Sequence, residues 1–217
     1  DRGAYEKILA TPSASGIIYV NAANIENESD GSSWAKAITQ LGDAFKIAKF
    51  NSNVKEIWVA KGIYKPIWRA DFTTNNITDC PTLTDKYNAF VMVNNVKVYG
   101  GFFGNETDTS NRDFVTNETI LSGDIGVAVV NTDNCYHALV SAGAVGNAEV
   151  NGFTVTGGNA IIDVSISVNS QVINSGSGAG MCCVVSSPSI RQCKFINNNA
   201  AWVGAAIFNL NSNPLIV

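Results

Sequence analysis

The stretch Gly178-Ala-Gly-Met181-Cys182, followed by Ser186-Ser187-Pro188-Ser189-Ile190, returns as Gly204-Ala-Ala-Ile207-Phe208, followed by Asn211-Ser212-Asn213-Pro214-Leu215-Ile216. Every matched pair is 26 residues apart, so the two units are in register without a gap. A fixed period in the twenties marks stacked units, each burying its apolar face only against its neighbours. Within a unit, short apolar runs are separated by Gly, Asn, Ser or Pro, which is chemistry for short strands and not for helical hairpins. The reading is an all-β parallel solenoid of about 26 residues per coil.

Outward from the repeat, a third copy lies upstream. Val150-Asn-Gly-Phe153-Thr-Val155-Thr-Gly-Gly matches Ile190-Arg-Gln-Cys-Lys-Phe195-Ile-Asn-Asn, and the offset from Phe153 to Phe195 is 42, one period plus 16 residues. Those 16 are expected between Ala160 and Ser177 as a segment looping out from the coil. Further strands are expected at Glu56-Ile-Trp-Val59, Gly62-Ile-Tyr64, Ala89 to Val93, Val96 to Gly104, Thr119 to Ile125 and Tyr136 to Val140. Roughly five or six coils fit, each adding about 4.8 Å, the spacing of paired strands.

The front of the chain differs. After an extension over residues 1–16, Gly16-Ile-Ile-Tyr-Val20 reads as a strand, and Ser32 or Ser33 is placed to cap a helix from Trp34 to about Phe50. Its apolar positions Trp34, Ala37, Ile38, Leu41, Phe45 and Ala48 form one helical stripe. A solenoid's first coil exposes an apolar end and unpaired strand edges, so residues 17–53 read as an N-terminal cap and residues 54–217 as the β-helix. The chain stops at Val217 midway through a repeat, which leads us to expect a piece of a longer protein, truncated at its C-terminal end.

Net charge is −4 and only 15% of residues are charged. With no basic cluster to neutralise phosphates, nucleic acid is not an expected partner. No apolar run reaches the roughly 18 residues of a membrane span, so no membrane insertion is expected, and the absence of a leader before Asp1 suggests a mature exported form. The five cysteines lack zinc-ligand spacing. Cys80 and Cys135 sit in turn-like surroundings and would bridge in an exported chain, while Cys182 or Cys183, and Cys193, read as free thiols inside the coil.

Several segments, taken together, resemble a known family. Ile18-Tyr-Val-Asn-Ala, Asp30-Gly-Ser-Ser-Trp34, Glu56-Ile-Trp-Val-Ala-Lys-Gly-Ile-Tyr-Lys-Pro66, Val98-Tyr-Gly-Gly-Phe-Phe-Gly-Asn-Glu106, Thr119-Ile-Leu-Ser-Gly-Asp124 and Asn151-Gly-Phe-Thr-Val-Thr-Gly-Gly158 follow the pattern of secreted bacterial right-handed parallel β-helix proteins of the pectate-lyase-like superfamily. The resemblance implies a right-handed coil, a secreted or outer-membrane-associated cell-surface location, and adhesin-like or polysaccharide-associated roles. It also implies export by the type IX route and so a secretion or surface-anchoring machinery as partner.

Enzymes of that superfamily gather acids, or a base beside a calcium-binding acid cluster, on one face of the coil. Glu106, Asp108, Asp113 and Asp124 are the closest approach to such a cluster and the candidate Ca²⁺ ligands; the competing reading makes them turn residues capping backbone amides. No other cofactor and no catalytic residue is indicated, and the lone His137, in a strand-like run, reads as structural. Sugar binding usually needs an exposed ring, which makes Trp58, Trp68 and Trp202 the candidates. If Ile57 and Val59 face inward then Trp58 faces out, and it and Trp68 are either glycan platforms or the floor under the loop from Ala70 to Lys86. Asn197-Asn-Asn199, Asn209, Asn211 and Asn213 are placed to bond from coil to coil.

The function expected is therefore a non-catalytic structural or adhesive module, with polysaccharide or a cell-surface glycan as its partner. The alternatives are a polysaccharide lyase or glycoside hydrolase with an incomplete active face, and a cargo chain whose C-terminal edge is completed by another protein.

Overall fold

The structure, a computed structural model, describes residues 10–25, 29–71 and 84–217. Most of its regular structure is parallel strand, with one α-helix among the described residues. The first sheet has six strands in the order Ile17–Val20, Glu56–Ala60, Lys97–Phe102, Glu149–Asn151, Ser189–Arg191 and Leu215–Ile216. The second joins Gly62–Tyr64, Thr119–Ser122, Thr154–Thr156 and Lys194–Ile196, and the third joins Phe90–Val91, Leu139–Ala142, Met181–Val184 and Ile207–Leu210. From Glu56 onward the chain visits first, second and third sheet in the same cyclic order, always pairing parallel to its previous visit. Inward-facing Ile57, Val98, Val150 and Ile190 of the first sheet meet Leu121 and Val155 of the second and Phe90, Leu139 and Met181 of the third in one apolar core.

The 26-residue repeat appears directly as register: Met181 pairs with Ile207, Ser189 with Leu215, and the Ser212 hydroxyl accepts the Ser186 N–H at 3.0 Å across 26 residues. The upstream copy is corrected. Val150 pairs with Ile190 and Val155 with Phe195, an offset of 40 shared by the bond from Asn199 Nδ2 to Asn159 Oδ1. Phe153 therefore stands opposite Cys193 and not Phe195. That amide bond, with the Gly158 N–H donated to Asn198 Oδ1 at 3.0 Å, links neighbouring passes of the chain through Asn198 and Asn199.

The inserted segment leaves the three sheets between Ala160 and Ser177, as expected, but folds back on them and is not a free loop. Ser165–Val168 and Gln171–Asn174 form an antiparallel hairpin whose turn residues, Asn169 and Ser170, both take positive φ. Buried Val168 and Ile173 lay one face of it on Val140, Ala142, Cys182 and Val184, the outward residues of the third sheet. That sheet carries apolar side chains on both faces, so its outer face also requires a cover.

The N-terminal helix is shorter than its stripe. Trp34–Lys36 is a 3-10 turn and the α-helix, α1, runs Leu41–Phe50. Between them Ile38 is drawn out to pair with the first strand: its N–H donates to the Tyr19 carbonyl at 3.0 Å and its carbonyl accepts the Asn21 N–H at 2.9 Å. Neither serine caps the helix. Ser33 makes no side-chain cap bond and the Ser32 hydroxyl donates to Asp30 Oδ1, because two strand hydrogen bonds outweigh the gain from extending one helical turn. α1 buries Leu41, Ala44, Phe45, Ile47 and Ala48 against the start of the core, with the Phe45 and Phe90 rings 5.7 Å apart.

Candidate functional site

Alternation puts Trp58 on the outer face of the first sheet, since Ile57 and Val59 are fully buried on the inner one. It is nevertheless covered. The ring stacks on Phe102 at 4.7 Å, with Tyr19 and Trp34 closing over it at 5.6 and 6.5 Å. The Trp34 indole N–H, bonded to the Glu106 carbonyl at 2.9 Å, holds this lid in place. Trp68 is covered too: its N–H donates to Asp43 Oδ1 at 2.8 Å, and the Lys46 ammonium lies 3.4 Å from its ring centroid. Burial of Asp43 pushes its carboxyl up, an effect the Trp68 bond and the Lys46 charge oppose. Both tryptophans therefore belong to the packing, and neither is a glycan platform. The partners are Tyr19, Trp34 and Phe102 for Trp58 and α1 for Trp68; residues 72–83 of the loop expected to cover them lie outside the described residues.

Trp202 is different. It is 55% exposed, and its ring packs against Gly176, where a side chain would come within 2.9 Å of it. The backbone N–H of Trp202 donates to the Gly176 carbonyl at 3.0 Å. Beside it, Asn174 accepts the Gly176 N–H and donates from Nδ2 to exposed Asp163 at 3.0 Å. A fixed, open ring next to an amide–carboxylate pair is a surface on which a pyranose can stack and hydrogen-bond.

The four candidate calcium ligands are not gathered. Glu106 accepts the N–H groups of Phe103, Gly104 and Asn105, which hold its carboxyl low although burial pushes it up. Asp108 caps Ser110, and Asp113 caps Val115 and Thr116, and these amide bonds hold both carboxyls low. Asp124 accepts the Val129 N–H at 3.1 Å. Among the described residues no group of three or more His, Cys, Asp or Glu is arranged to hold a metal.

Cys80 lies outside the described residues, and Cys135 carries a buried free thiol that donates to the His137 carbonyl. Burial pushes the thiols of Cys135, Cys182 and Cys183 up to about 12, so none is a thiolate near neutral pH. His137 is buried, with Nδ1 2.9 Å from the Gly178 carbonyl.

Sequence reasoning missed a row on the first sheet's outer face. Register sets Glu56, Lys97 and Glu149 abreast, and beside them Trp58, Tyr99, Asn151 and Arg191. The Arg191 side chain pairs with Glu149 at 3.5 Å, and Arg112 lies over the Tyr99 ring at 4.8 Å. Burial, together with Glu149 and Glu56, pushes the Tyr99 hydroxyl up to about 12. The only sequence signal for this row is outward alternation in strands some 40 to 50 residues apart. Comparison with protein-family models, curated proteins and solved structures finds no match.

Proposed function

We propose that the chain is a right-handed parallel β-helix module, capped at its N-terminal end by α1, of a secreted or cell-surface bacterial protein. Its role is structural or adhesive, exercised by holding a polysaccharide or cell-surface glycan without cleaving it. The cyclic visiting order of three parallel sheets supports the coil, and the right-handed crossover preference of parallel strands supports its hand. The observation that carries the binding part is the open Trp202 ring beside Asn174 and Asp163.

The test is retention of the purified chain on immobilised acidic and neutral polysaccharides, with reducing and unsaturated ends assayed in the same tubes. Wild-type chain is expected to be retained without new ends. Trp202→Ala is expected to reduce retention to background while leaving stability within about 0.5 kcal/mol, as for an exposed side chain outside the core. Equal retention of the two proteins would sink the site.

One observation favours the enzymatic alternative. Glu56 and Glu149 are two rungs apart, about 9.5 Å between backbones, close to the roughly 6.5–9.5 Å between carboxyl groups used in inverting glycoside hydrolysis. New reducing ends that vanish in Glu149→Gln would establish that reading in place of the adhesive one.

A further inference from the structure

Five side-chain atoms among the described residues are buried without a hydrogen-bond partner, and three of them lie between Gly123 and Cys135: Asp124 Oδ1, Asp133 Oδ1 and Asn134 Oδ1. The Cys135 N–H donates to the Gly123 carbonyl at 2.9 Å, closing this segment at its base and setting Asn134 beside Asp124. Asn134, only 4% exposed, is fixed there by the bond from Nδ2 to the Gly157 carbonyl at 2.8 Å, which leaves Oδ1 as the free end of its amide. The two carboxylates hold the same loop by one oxygen each: Asp133 Oδ2 accepts the Val127 N–H at 2.7 Å, and Asp124 Oδ2 accepts that of Val129. Their second oxygens are the buried ones.

Burying carboxylate oxygens without donors is costly, and a shared cation offsets that cost for both at once. The side-chain cation at hand is a weak substitute: half-exposed Lys65 stands 3.8 Å from Asp124 Oδ1, beyond hydrogen-bond length, while Lys86 donates to the Thr132 carbonyl. Two carboxylates and an amide oxygen on one short loop are hard donors of the kind calcium takes. We infer that Asp124, Asp133 and Asn134 form a calcium site through their Oδ1 atoms, with water and backbone carbonyls supplying the rest of the shell. Of the four ligands expected from sequence only Asp124 belongs to it. The inference is independent of glycan binding. Calcium bound there would stiffen a loop that presents Val127, Val129 and Val130 to solvent and holds Val129 at φ 64, a conformation unusual for a β-branched residue.

Calorimetric titration of the 217-residue chain with calcium chloride, together with melting in calcium and in chelator, tests it. The expected result is one ion per chain and a Tm rise of roughly 5–10 °C at calcium a hundredfold above Kd. Asp133→Asn and Asp124→Asn each keep an acceptor for the loop amide, so both should fold in chelator, and each is expected to weaken calcium binding at least about tenfold. Asp108→Asn, which alters only a turn cap, should titrate like wild type. Absence of binding at millimolar calcium would overturn the site and leave the three oxygens to water; unchanged affinity in both loop variants would overturn its location.

Discussion

Replacing Gly158 with alanine is expected to destabilise the fold by about 3 kcal/mol, the upper range for forcing atoms into a packed interior. For a chain of this size that lowers Tm by roughly 6–12 °C. The cause is close approach. Gly158 is held from both sides, its N–H donated to Asn198 Oδ1 and its carbonyl accepting the Asn199 N–H at 2.9 Å. A Cβ built there runs into the Ala179 carbonyl oxygen. That oxygen accepts the Ala138 N–H at 2.9 Å, so Ala179 cannot retreat without breaking a link between adjacent passes of the chain. Gly143 is the control. Its φ is 72 and the nearest atom to a built Cβ is the Asn169 carbonyl oxygen at 3.5 Å, so Gly143→Ala meets left-handed strain alone, about 1 kcal/mol. Equal melting losses for the two variants, read by circular dichroism, would reject close approach as the cause.

Acidification from pH 6.5 to 4 is expected to remove about 3 kcal/mol through His137 alone, at 1.36 kcal/mol per unit of displaced pKa. Burial pushes this imidazole down to about 4, against a tendency of its bond to Gly178 to raise it. The sign follows from which state takes up the proton. Above 6.5 the ring is neutral folded and unfolded, and its contribution is complete. Between 6.5 and 4 only the unfolded chain is protonated, so folding loses ground as pH falls; below 4 the loss levels off. The test is chemical denaturation across this range in wild type and His137→Asn, whose Nδ2 can replace Nδ1 as donor to the Gly178 carbonyl. The variant should show a flatter slope between pH 6.5 and 4. Parallel slopes would mean that His137 is not the group titrating, and that the carboxylates held low at Glu106, Asp108 and Asp113 carry the acid sensitivity at still lower pH.

Much of the architecture was legible because a repeat states its own register. The 26-residue spacing places Met181 over Ile207 without any knowledge of contacts, and Gly, Asn and Pro between short apolar runs mark the corners. That one of Cys182 and Cys183 faces the core, and that the Trp202 ring is exposed, were legible for the same reason; that it is Cys183, with Cys182 buried on the outer face under the hairpin, was not. Alternation correctly turned Trp58 outward from the core. It could not tell that the outer face there is covered, because the cover comes from Trp34 and Phe102, on other parts of the chain.

The helix start shows local preference giving way to pairing. A helical stripe runs unbroken from Trp34, yet Ile38 is extended because the Tyr19 and Asn21 backbone groups lie within reach of it. The inserted hairpin shows the same at larger scale, its polar and β-branched residues reading as a free loop until the apolar outer face of the third sheet is there to receive Val168 and Ile173. Sequence by itself determined the period, the strand corners and which side of each repeated strand faces inward, because these depend on residues close together or one period apart. Only the tertiary structure decided which outward faces are covered and which side chains share a neighbourhood, as with Asp124 and Asn134 at the base of one loop or Glu56 and Glu149 on one sheet face. Those neighbours are brought together by segments of unequal length, whose paths are set by packing and hydrogen bonding and not by spacing.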